Sequence, residues 1–373
     1  MPYKYQLIKP YIGEEELQEI KEVFSSGWLT QGAYVEEFEK KVASYTGAKF
    51  AVAVTSCTTA IYLCIKTLKI KNAFIVVPDF TFPATANAVV EANLKPLLLD
   101  VDEKCRLSIN QLKGILLNYN NKIKAIILVH PFGHALNVDN YKELIHECGI
   151  DIPIIEDAAT ALGSINNGRY AGNMSNFGCF SFHPRKIVTT GEGGMIILNN
   201  KELYEELITL RDHGRDKRGV FIKNSLNFRM SDIQAAIGLV QLKKIESRIE
   251  KRRKLAGIYH KLLNDILPSF IPLKEEEGQR STYQSYIIKL PKHFKNHQEY
   301  IINRMKKDYS IEVQIGTYAL HMEPAFKRFV TSSLPTSELL RRTTLTLPLY
   351  EELTYEDLLY IVESLSKVCK EIL

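Results

Sequence analysis

Short apolar runs alternate with helical segments along the first two-thirds of the chain, and this alternation restricts the possible folds more than any other feature. The runs are nearly continuous, as strands buried on both faces of a sheet require. Strands that alternate with helices indicate an α/β fold with a mostly parallel sheet. The predicted strands cover residues 49–54, 74–77, 96–99, 123–129, 152–155, 179–182 and 195–198.

The last third of the chain repeats this alternation on a smaller scale. A helix is predicted from Ser231, which forms a capping box with Gln234, and its continuation from Lys243 is highly charged, as is typical of a solvated face. Strands at 285–290 and 311–315 and a final helix from Thr354 follow. We expect a large domain with an N-terminal arm over residues 1–245 and a smaller C-terminal α/β domain over residues 246–373.

Composition excludes several classes of protein. The formal charge of +5 is the small difference between 48 basic and 43 acidic residues, which does not favour a nucleic-acid partner. The six cysteines are scattered without a CxxC pair, which indicates a reducing, cytoplasmic setting and no metal site. No window is apolar for long enough to span a bilayer, and the N-terminus lacks a signal core. We therefore predict a cytoplasmic protein without a membrane span.

One lysine, Lys186, lies in a polar, Gly-rich segment between the predicted strands of residues 178–199. A lysine held between apolar walls loses hydration, which lowers its pKa and makes its amine available for Schiff-base chemistry. Taken alone, the stretch is explained better by a surface lysine on a long hairpin loop. A chemical role for Lys186 therefore depends on residues elsewhere in the chain.

Two stretches place polar groups where predicted strands end. Residues 55–60, TSCTTA, lie between a strand and a helix. Free N–H groups at this helix start, with the hydroxyls of Thr58 and Thr59, would form a phosphate cradle, although N-capping by a threonine is the simpler explanation. Asp157 ends a strand, so its carboxylate is expected at the carboxyl edge of the sheet, where α/β folds bind ligands. A protonated heteroaromatic nitrogen would offset its burial, whereas a helix N-cap aspartate is equally consistent.

Two further stretches complete a set of ligand-binding groups. Phe82 could supply a flat apolar face for a planar ring, although aromatic residues in such a stretch are more often core. Asn227 and Arg229 precede a predicted helix and could reach an anion, although a turn would also explain them. A phosphate cradle, a stacking aromatic ring, a carboxylate for a ring nitrogen and a lysine for an aldehyde together indicate a pyridoxal phosphate site.

The chain resembles the DegT family of nucleotide-sugar aminotransferases, within the fold-type-I pyridoxal phosphate enzymes. The resemblance implies a large domain with a mostly parallel seven-stranded sheet, pyridoxal phosphate as cofactor, and a homodimer with shared active sites. It is carried, in chain order, by PYIGEEEL, SGWLTQG, EDAATALGS, FSFHPRKIVTTGEGGM, LNFRMSDIQAAIG, TYALHMEPAF and LPLYEELTYEDL.

The resemblance also assigns roles to individual residues. Lys186 corresponds to the Schiff-base lysine and Asp157 to the partner of the pyridinium nitrogen, and these are the two catalytic residues. Ser181 resembles a phosphate ligand, and Asn227 resembles an asparagine that reaches the phosphate from the neighbouring subunit. Phe82 resembles the aromatic residue that covers the ring. Positions near the sugar-nucleotide pocket are matched by His183, Arg229, Tyr318 and His321.

Two positions depart from the family's pattern. The loop that is commonly SSGTAAL reads TSCTTAI here, with Cys57 where glycine is common, so the backbone donors remain while the detailed phosphate geometry changes. The residue three after the aspartate is commonly Gln or His and is Thr160 here. Its shorter hydroxyl would approach the cofactor's phenolic oxygen in a weaker or water-mediated contact. A lone histidine such as His321 is more often structural.

The reaction implied by the resemblance is ping-pong transamination from L-glutamate to a nucleotide-linked keto-sugar, in which Lys186 shuttles a proton. The FHPRK and TTGEGGM motifs are closer to members that act at C4 of a 4-keto-6-deoxy sugar, such as perosamine synthases. The product would be an amino sugar for surface polysaccharide or glycan biosynthesis.

Three alternatives stay open. One is amination at C3 of a 3-keto sugar nucleotide. Another is a pyridoxal phosphate-dependent sugar dehydratase, in which the lysine is typically replaced by histidine, so that Lys186 argues against it. The last is a non-catalytic regulatory protein, which the joint presence of Lys186, Asp157, Ser181 and Asn227 makes the weaker hypothesis.

Overall fold

A computed structural model describes residues 3–119 and 122–372 of the chain. The outermost residues of both predicted domains, and Asn120 and Asn121 within the first, lie outside the described residues. The helices are α1 Glu14–Ser26, α2 Ala33–Thr46, α3 Cys57–Thr67, α4 Ala84–Glu91, α5 Ile109–Tyr119, α6 Asp139–Glu147, α7 Lys201–Arg211, α8 Asp232–Lys243, α9 Ile245–Ile266, α10 Gln298–Tyr309, α11 Pro335–Thr343 and α12 Tyr355–Lys370.

The described strands belong to one sheet of seven strands and to smaller sheets of four, three and two strands. They are β1 Phe50–Val54, β2 Phe74–Pro78, β3 Phe80–Thr81, β4 Lys95–Leu99, β5 Ile123–Val129, β6 Ile154–Asp157, β7 Ile165–Asn166, β8 Arg169–Tyr170, β9 Phe177–Ser181, β10 Gly194–Leu198, β11 Ile271–Pro272, β12 Gln279–Arg280, β13 Tyr286–Lys289, β14 Gln314–Ile315, β15 Tyr318–Ala319 and β16 Thr344–Leu347.

The large sheet has seven strands in the order β1-β10-β9-β6-β5-β2-β4. Strand β10 is antiparallel to both of its neighbours, whereas the pairs from β9 to β4 are parallel. Separate apolar clusters cover its two faces, which explains why the central strands are apolar throughout. The predicted fold-type-I α/β fold with a mostly parallel seven-stranded sheet is confirmed.

A second core forms around the antiparallel sheet β11-β13-β16-β14 and helices α9, α10 and α12. Helix α9 contributes to both cores, since Ile245 and Ile249 pack in the first and Leu255 and Tyr259 in the second. The predicted boundary after residue 245 therefore lies at the start of a helix that runs through both cores, and the division into domains stays a prediction.

The charged stretch from Lys243 into α9 is a largely exposed face, as the sequence predicted, except for two arginines. Arg248 and Arg252 are buried, and both contact the carboxylate of Glu351. The sequence pattern shows the charges of the helix but not the carboxylate that faces them from a distant loop. This buried cluster, Arg248, Arg252 and Glu351, is called the arginine cluster below.

The N-terminal arm, which the sequence assigned to the large domain, packs on the second core. Tyr5 is buried there, its N–H donates to the Ser310 carbonyl at 3.1 Å, and its hydroxyl donates to Asp357 at 2.8 Å. Among the described helices, none is long and apolar enough to cross a membrane.

Candidate active site

Asp157 is the last residue of β6, in the middle of the large sheet, and its side chain is buried at the carboxyl edge. Its Oδ2 accepts a hydrogen bond from the Thr85 hydroxyl at 2.7 Å, and its Oδ1 accepts one from the Ala159 N–H at 3.1 Å. Burial raises the pKa of Asp157, although these donors and nearby Lys186 oppose the rise. Within residues 3–119 and 122–372, no cation lies within 4.0 Å of this carboxylate. The site can therefore accept a positively charged partner.

Lys186 lies on the segment between β9 and β10, and its N–H donates to the His183 carbonyl at 2.8 Å, which closes a turn. Enclosure of its side chain lowers the pKa of the amine, and the nearby Cys57 and Asp157 oppose this shift only in part. The structure thus differs from the simpler explanation, a surface lysine on a hairpin loop. An amine of lowered pKa near a carboxylate suits nucleophilic attack on an aldehyde.

The predicted phosphate cradle lies at the start of α3. Its N-cap is Ser56, whose Oγ accepts the Thr59 N–H at 3.1 Å, so a serine and not a threonine caps this helix. The Thr59 hydroxyl is 2.9 Å from that of Ser56. Thr58 is exposed, and in the described part of the chain neither its hydroxyl nor the N–H groups of Cys57 and Thr58 have a partner. These free donors at the positive end of a helix dipole suit a phosphate.

Gly194 lies between Ser181 and the predicted phosphate cradle at the start of α3. The two residues are paired between β10 and β9, and a Cβ on Gly194 would lie 2.4 Å from the carbonyl carbon of Ser56. Only glycine therefore lets the start of α3 lie so close to the sheet, which gives a physical reason for Gly194, the last glycine of the GEGGM motif. Ser181 thus lies on the strand beside Gly194, and its role as a phosphate ligand stays a prediction.

Asn227 and Arg229 lie on a segment beside the end of β1, where the Thr55 N–H donates to the Phe228 carbonyl at 3.1 Å. Asn227 is exposed and its Oδ1 accepts the Arg229 N–H at 3.2 Å, while its Nδ2 has no partner among the residues that the structure describes. The Arg229 guanidinium forms an ion pair with Asp212, so it is less available to an anion than the sequence predicted.

The aromatic rings of Phe82 and Tyr318 pack edge to face against each other. Phe82 follows β3, which pairs with the β15 strand that contains Tyr318, and their rings are 6.0 Å apart at 71°. Phe82 is 63% exposed, so it is not the core residue that the simpler explanation proposed. Its exposed ring is available to a planar ligand.

His321 has a structural partner that the sequence did not reveal. Its Nδ1 lies 2.6 Å from Oδ2 of Asp79 and its N–H donates to Oδ1 at 2.8 Å. Asp79 follows β2 and is fully buried. Asp79 could have been identified in the sequence by the same signal as Asp157, namely a carboxylate at the end of an apolar strand. These contacts favour a structural role for His321.

His183 and Thr160 are both engaged with the backbone. His183 Nδ1 accepts the Arg185 N–H at 3.1 Å, and burial lowers the pKa of this histidine, although Glu192 opposes the shift. The Thr160 hydroxyl donates to the His130 carbonyl at 2.8 Å. The hydroxyl hydrogen of Thr160 is therefore committed, and only its oxygen lone pairs can face a ligand.

A buried pair that the sequence did not single out supports the strand below Asp157. Glu156 accepts the N–H groups of Gly172 and Met174, each at 2.8 Å, and His130 Nε2 lies 2.8 Å from it. Because His130 Nδ1 accepts the Leu136 N–H, Nε2 carries the proton and donates to Glu156. The neighbour of Asp157 is thus fixed in place.

The fold is that of the fold-type-I cofactor-dependent transferases, and these groups suit a site at the carboxyl edge of the sheet. The chain belongs to the DegT/DnrJ/EryC1/StrS aminotransferase family, whose profile matches residues 10–366. The predictions of the family and of a pyridoxal phosphate-dependent aminotransferase are confirmed at this level.

Similar proteins extend over nearly the whole chain. GDP-perosamine synthase of Escherichia coli O157:H7 is 29% identical over 364 residues, which cover 96% of this chain and 97% of that protein. A UDP-4-amino-4,6-dideoxy-N-acetyl-beta-L-altrosamine transaminase of Campylobacter jejuni strain 81-176 is 29% identical over 366 residues, covering 97% of this chain and 96% of that one. The putative sugar aminotransferase Spr1654 of Streptococcus pneumoniae, in its apo-form, superposes with a TM-score of 0.94 at 25% identity, covering 99% and 98% of the two chains. That protein has also been solved in a PLP-form.

Proposed function

We propose that this protein transfers an amino group from L-glutamate to C4 of a nucleotide-linked 4-keto-6-deoxy sugar, which makes an amino sugar for surface polysaccharide or glycan biosynthesis. The observation that carries the proposal is the buried Asp157 carboxylate, which lacks a cation among the described residues but is close to Lys186. The name of the Campylobacter relative, a 4-amino-4,6-dideoxy sugar transaminase, supports amination at C4.

The residues of the site fit pyridoxal phosphate, which when bound supplies an electron sink for transamination. Lys186 would hold the cofactor and move the proton of the substrate, and Asp157 would hold the positive charge of the ring nitrogen. The phosphate would be bound by Ser181, by the hydroxyls of Thr58 and Thr59 and by the free N–H groups of α3. Phe82 would cover the ring, and Thr160 would offer lone pairs at its edge.

The sugar nucleotide would lie beyond the cofactor. His183, near Lys186, and Tyr318, beside Phe82, are the better placed of the four predicted residues. Arg229 and His321 are already paired with Asp212 and Asp79, so we assign them a positioning role around the pocket.

We also propose a cytoplasmic homodimer in which Asn227 serves the partner's cofactor. The exposure of Asn227 supports this role, and so do several large apolar side chains that are at least 60% exposed on the same chain, among them Phe24, Trp28, Phe221 and Leu226. Their burial by a second copy would stabilise the dimer. All six cysteines are free thiols, in keeping with a reducing compartment.

The test is a panel of 3-keto and 4-keto sugar nucleotides incubated with the protein, pyridoxal phosphate and L-glutamate, with products identified by mass spectrometry and NMR. We expect an amine at C4 of a 6-deoxy sugar, and none with Lys186→Ala. An amine at C3 would replace the proposed position, and loss of water without gain of nitrogen would favour a dehydratase. No product from any sugar would contradict the proposal.

A further inference from the structure

We infer that Gln284, a residue of the C-terminal half of the chain, positions the active-site lysine by holding both peptide groups that flank Lys186. The inference rests on the proposed function, in which Lys186 carries the cofactor. It assigns Gln284 no contact with cofactor or substrate, so Gln284 is a positioning residue and not a catalytic one.

Gln284 forms two hydrogen bonds with the backbone, one on each side of Lys186. Gln284 is 2% exposed, its Oε1 accepts the Ile187 N–H at 2.8 Å, and its Nε2 donates to the Arg185 carbonyl at 2.6 Å. The N–H of Lys186 itself donates to the His183 carbonyl at 2.8 Å. The backbone is thus held before, at and after the lysine, which fixes the direction in which its side chain leaves the chain.

An amide suits this contact for a chemical reason. It offers a donor and an acceptor at adjacent atoms, whereas a carboxylate only accepts and a lysine only donates. Away from water, hydrogen bonds of this kind are strong, and leaving either peptide group without a partner is costly. Water would not replace these two buried hydrogen bonds. Loss of the Gln284 amide would therefore loosen the backbone segment that contains Lys186.

The arginine cluster holds Gln284 in turn. Arg252 donates to the carbonyls of Tyr283 at 3.1 Å and of Gln284 at 2.9 Å. Its guanidinium lies 3.6 Å from Glu351, which also contacts Arg248 at 3.0 Å. The arginine cluster is thereby connected, through one glutamine, to the backbone on both sides of Lys186. This connection gives the buried arginines of α9 a role beyond packing.

The groups around the Lys186 amine determine how its pKa would change if this segment were loosened. The titratable and charged groups that face Lys186 are Asp157, Cys57 and His183, with Arg185 next to it in the chain. Burial lowers the pKa of Lys186 more than Asp157 and Cys57 raise it. A loosened segment lets water reach the amine, so its pKa returns toward the value of an ordinary lysine.

The test compares Gln284→Met with Gln298→Met in cofactor-free protein. Gln298 is a matched control because it is also buried, donates to the Thr344 carbonyl at 2.6 Å and accepts from Arg341 at 3.0 Å. Lys186 is labelled with formaldehyde and a borane reductant over a series of pH values, and the peptide is quantified by mass spectrometry. We expect the labelling midpoint of Gln284→Met to rise by about one pH unit, with no change for Gln298→Met.

A second measurement is the affinity of the same proteins for pyridoxal phosphate, which we expect to fall by about tenfold in Gln284→Met alone. If Gln284→Met does not fold, Gln284→Asn keeps both polar groups on a shorter side chain and should shift the midpoint in the same direction. A folded variant with the wild-type midpoint would overturn the inference.

The failure of the inference can be told apart from that of the proposed function. If borohydride reduction fixes the cofactor to Lys186 while neither Gln284 variant shifts the midpoint, only the positioning role is wrong. If Lys186→Ala still fixes the cofactor through another amine, the proposed role of Lys186 is wrong as well, and with it the ground for this inference.

Discussion

The Thr85 hydroxyl donates a hydrogen bond to Oδ2 of Asp157 at 2.7 Å, and both side chains are buried at the carboxyl edge of the large sheet. The two residues are 72 positions apart in the chain. A donor to the charged form of an acid favours that form, so Thr85 opposes the rise in pKa that burial imposes on Asp157. Thr85 thereby supports the ionised carboxylate that the proposed role of Asp157 requires.

Thr85→Val should weaken cofactor binding without unfolding the protein. Hydrogen bonds to charged groups contribute about 1.5–3 kcal/mol, so we expect the affinity for pyridoxal phosphate, measured by fluorescence titration, to fall at least about tenfold. Thr67→Val is the control, because Thr67 is equally buried but donates to a helix carbonyl at 2.8 Å, far along α3 from the site. Equal affinities of Thr85→Val and wild type would count against the assigned contact.

Asp157→Asn should separate activity from stability. An acid whose pKa is raised in the folded state makes cofactor-free protein less stable as the pH rises above about 4, the ordinary range of an aspartate. At pH 8 the cofactor-free Asp157→Asn protein should therefore have a Tm at least equal to that of wild type, and this advantage should shrink as the pH is lowered toward 4. Transamination should be almost lost, because the ring nitrogen lacks a charged partner. Near-normal turnover would rule out this role.

Gly194→Ala should damage the phosphate site selectively. The added Cβ would lie 2.4 Å from the Ser56 carbonyl carbon, so the start of α3 must move away from the sheet. We expect a loss of stability of about 1–3 kcal/mol and a weaker affinity for pyridoxal phosphate, while the affinity for pyridoxal, which lacks the phosphate, changes little. Gly257→Ala, with no atom within 4 Å of its Cβ, is the control. An equal loss for both ligands would place the damage elsewhere.

The apolar strands and the carboxylate at their edge were predictable from the sequence, because burial leaves a continuous apolar run and ends it at a polar residue. Asp157 falls in such a place, whereas Lys186 lies on the segment after β9 and its role was predicted only with the help of residues elsewhere in the chain. Strand β16 was missed because its buried Thr344 and Thr346 make it look like a polar loop. Its position between β13 and β14 is decided by pairing across the chain.

The supporting contacts could not be predicted, because each joins residues that are distant in the sequence. Gln284 contacts Ile187 over 97 positions, and Arg248 contacts Glu351 over 103. A glutamine before a strand and an arginine in a charged helix carry no local signal of such partners. The resemblance to a family assigns the residues that meet the cofactor, whereas the residues that hold them in place are visible only in three dimensions.

The pair of His321 and Asp79 should behave as a structural unit. Removing the His321 ring leaves Oδ2 of the buried Asp79 with an unmet hydrogen bond, and removing Asp79 leaves the partly buried His321 ring without this partner. An unmet buried hydrogen bond costs about 1–3 kcal/mol. In a double-mutant cycle with His321→Ala and Asp79→Ala, we expect the second change to cost much less than the first when folding is followed by urea denaturation. Additive losses, together with a KM effect confined to the sugar nucleotide, would instead support the sugar-binding role that the sequence predicted for His321.

The shared active site can be tested by mixing inactive variants. Subunits with Lys186→Ala lack the lysine, and subunits with Asn227→Ala lack the amide that is proposed to reach the partner's phosphate. A mixed dimer has one site with both residues intact, so subunit exchange should restore up to about a quarter of the activity, as random pairing of sites implies. Exchange that is verified by mass spectrometry but restores nothing would contradict shared sites.

The proposed function depends most on the amine of Lys186, which would carry the cofactor. The most direct measurement is borohydride reduction of the protein loaded with pyridoxal phosphate, followed by peptide mass spectrometry to locate the pyridoxyl group. We expect the group on Lys186, and we expect Lys186→Ala to bind the cofactor without retaining it after reduction. A pyridoxyl group on any other lysine of the wild-type protein would contradict the proposed role of Lys186.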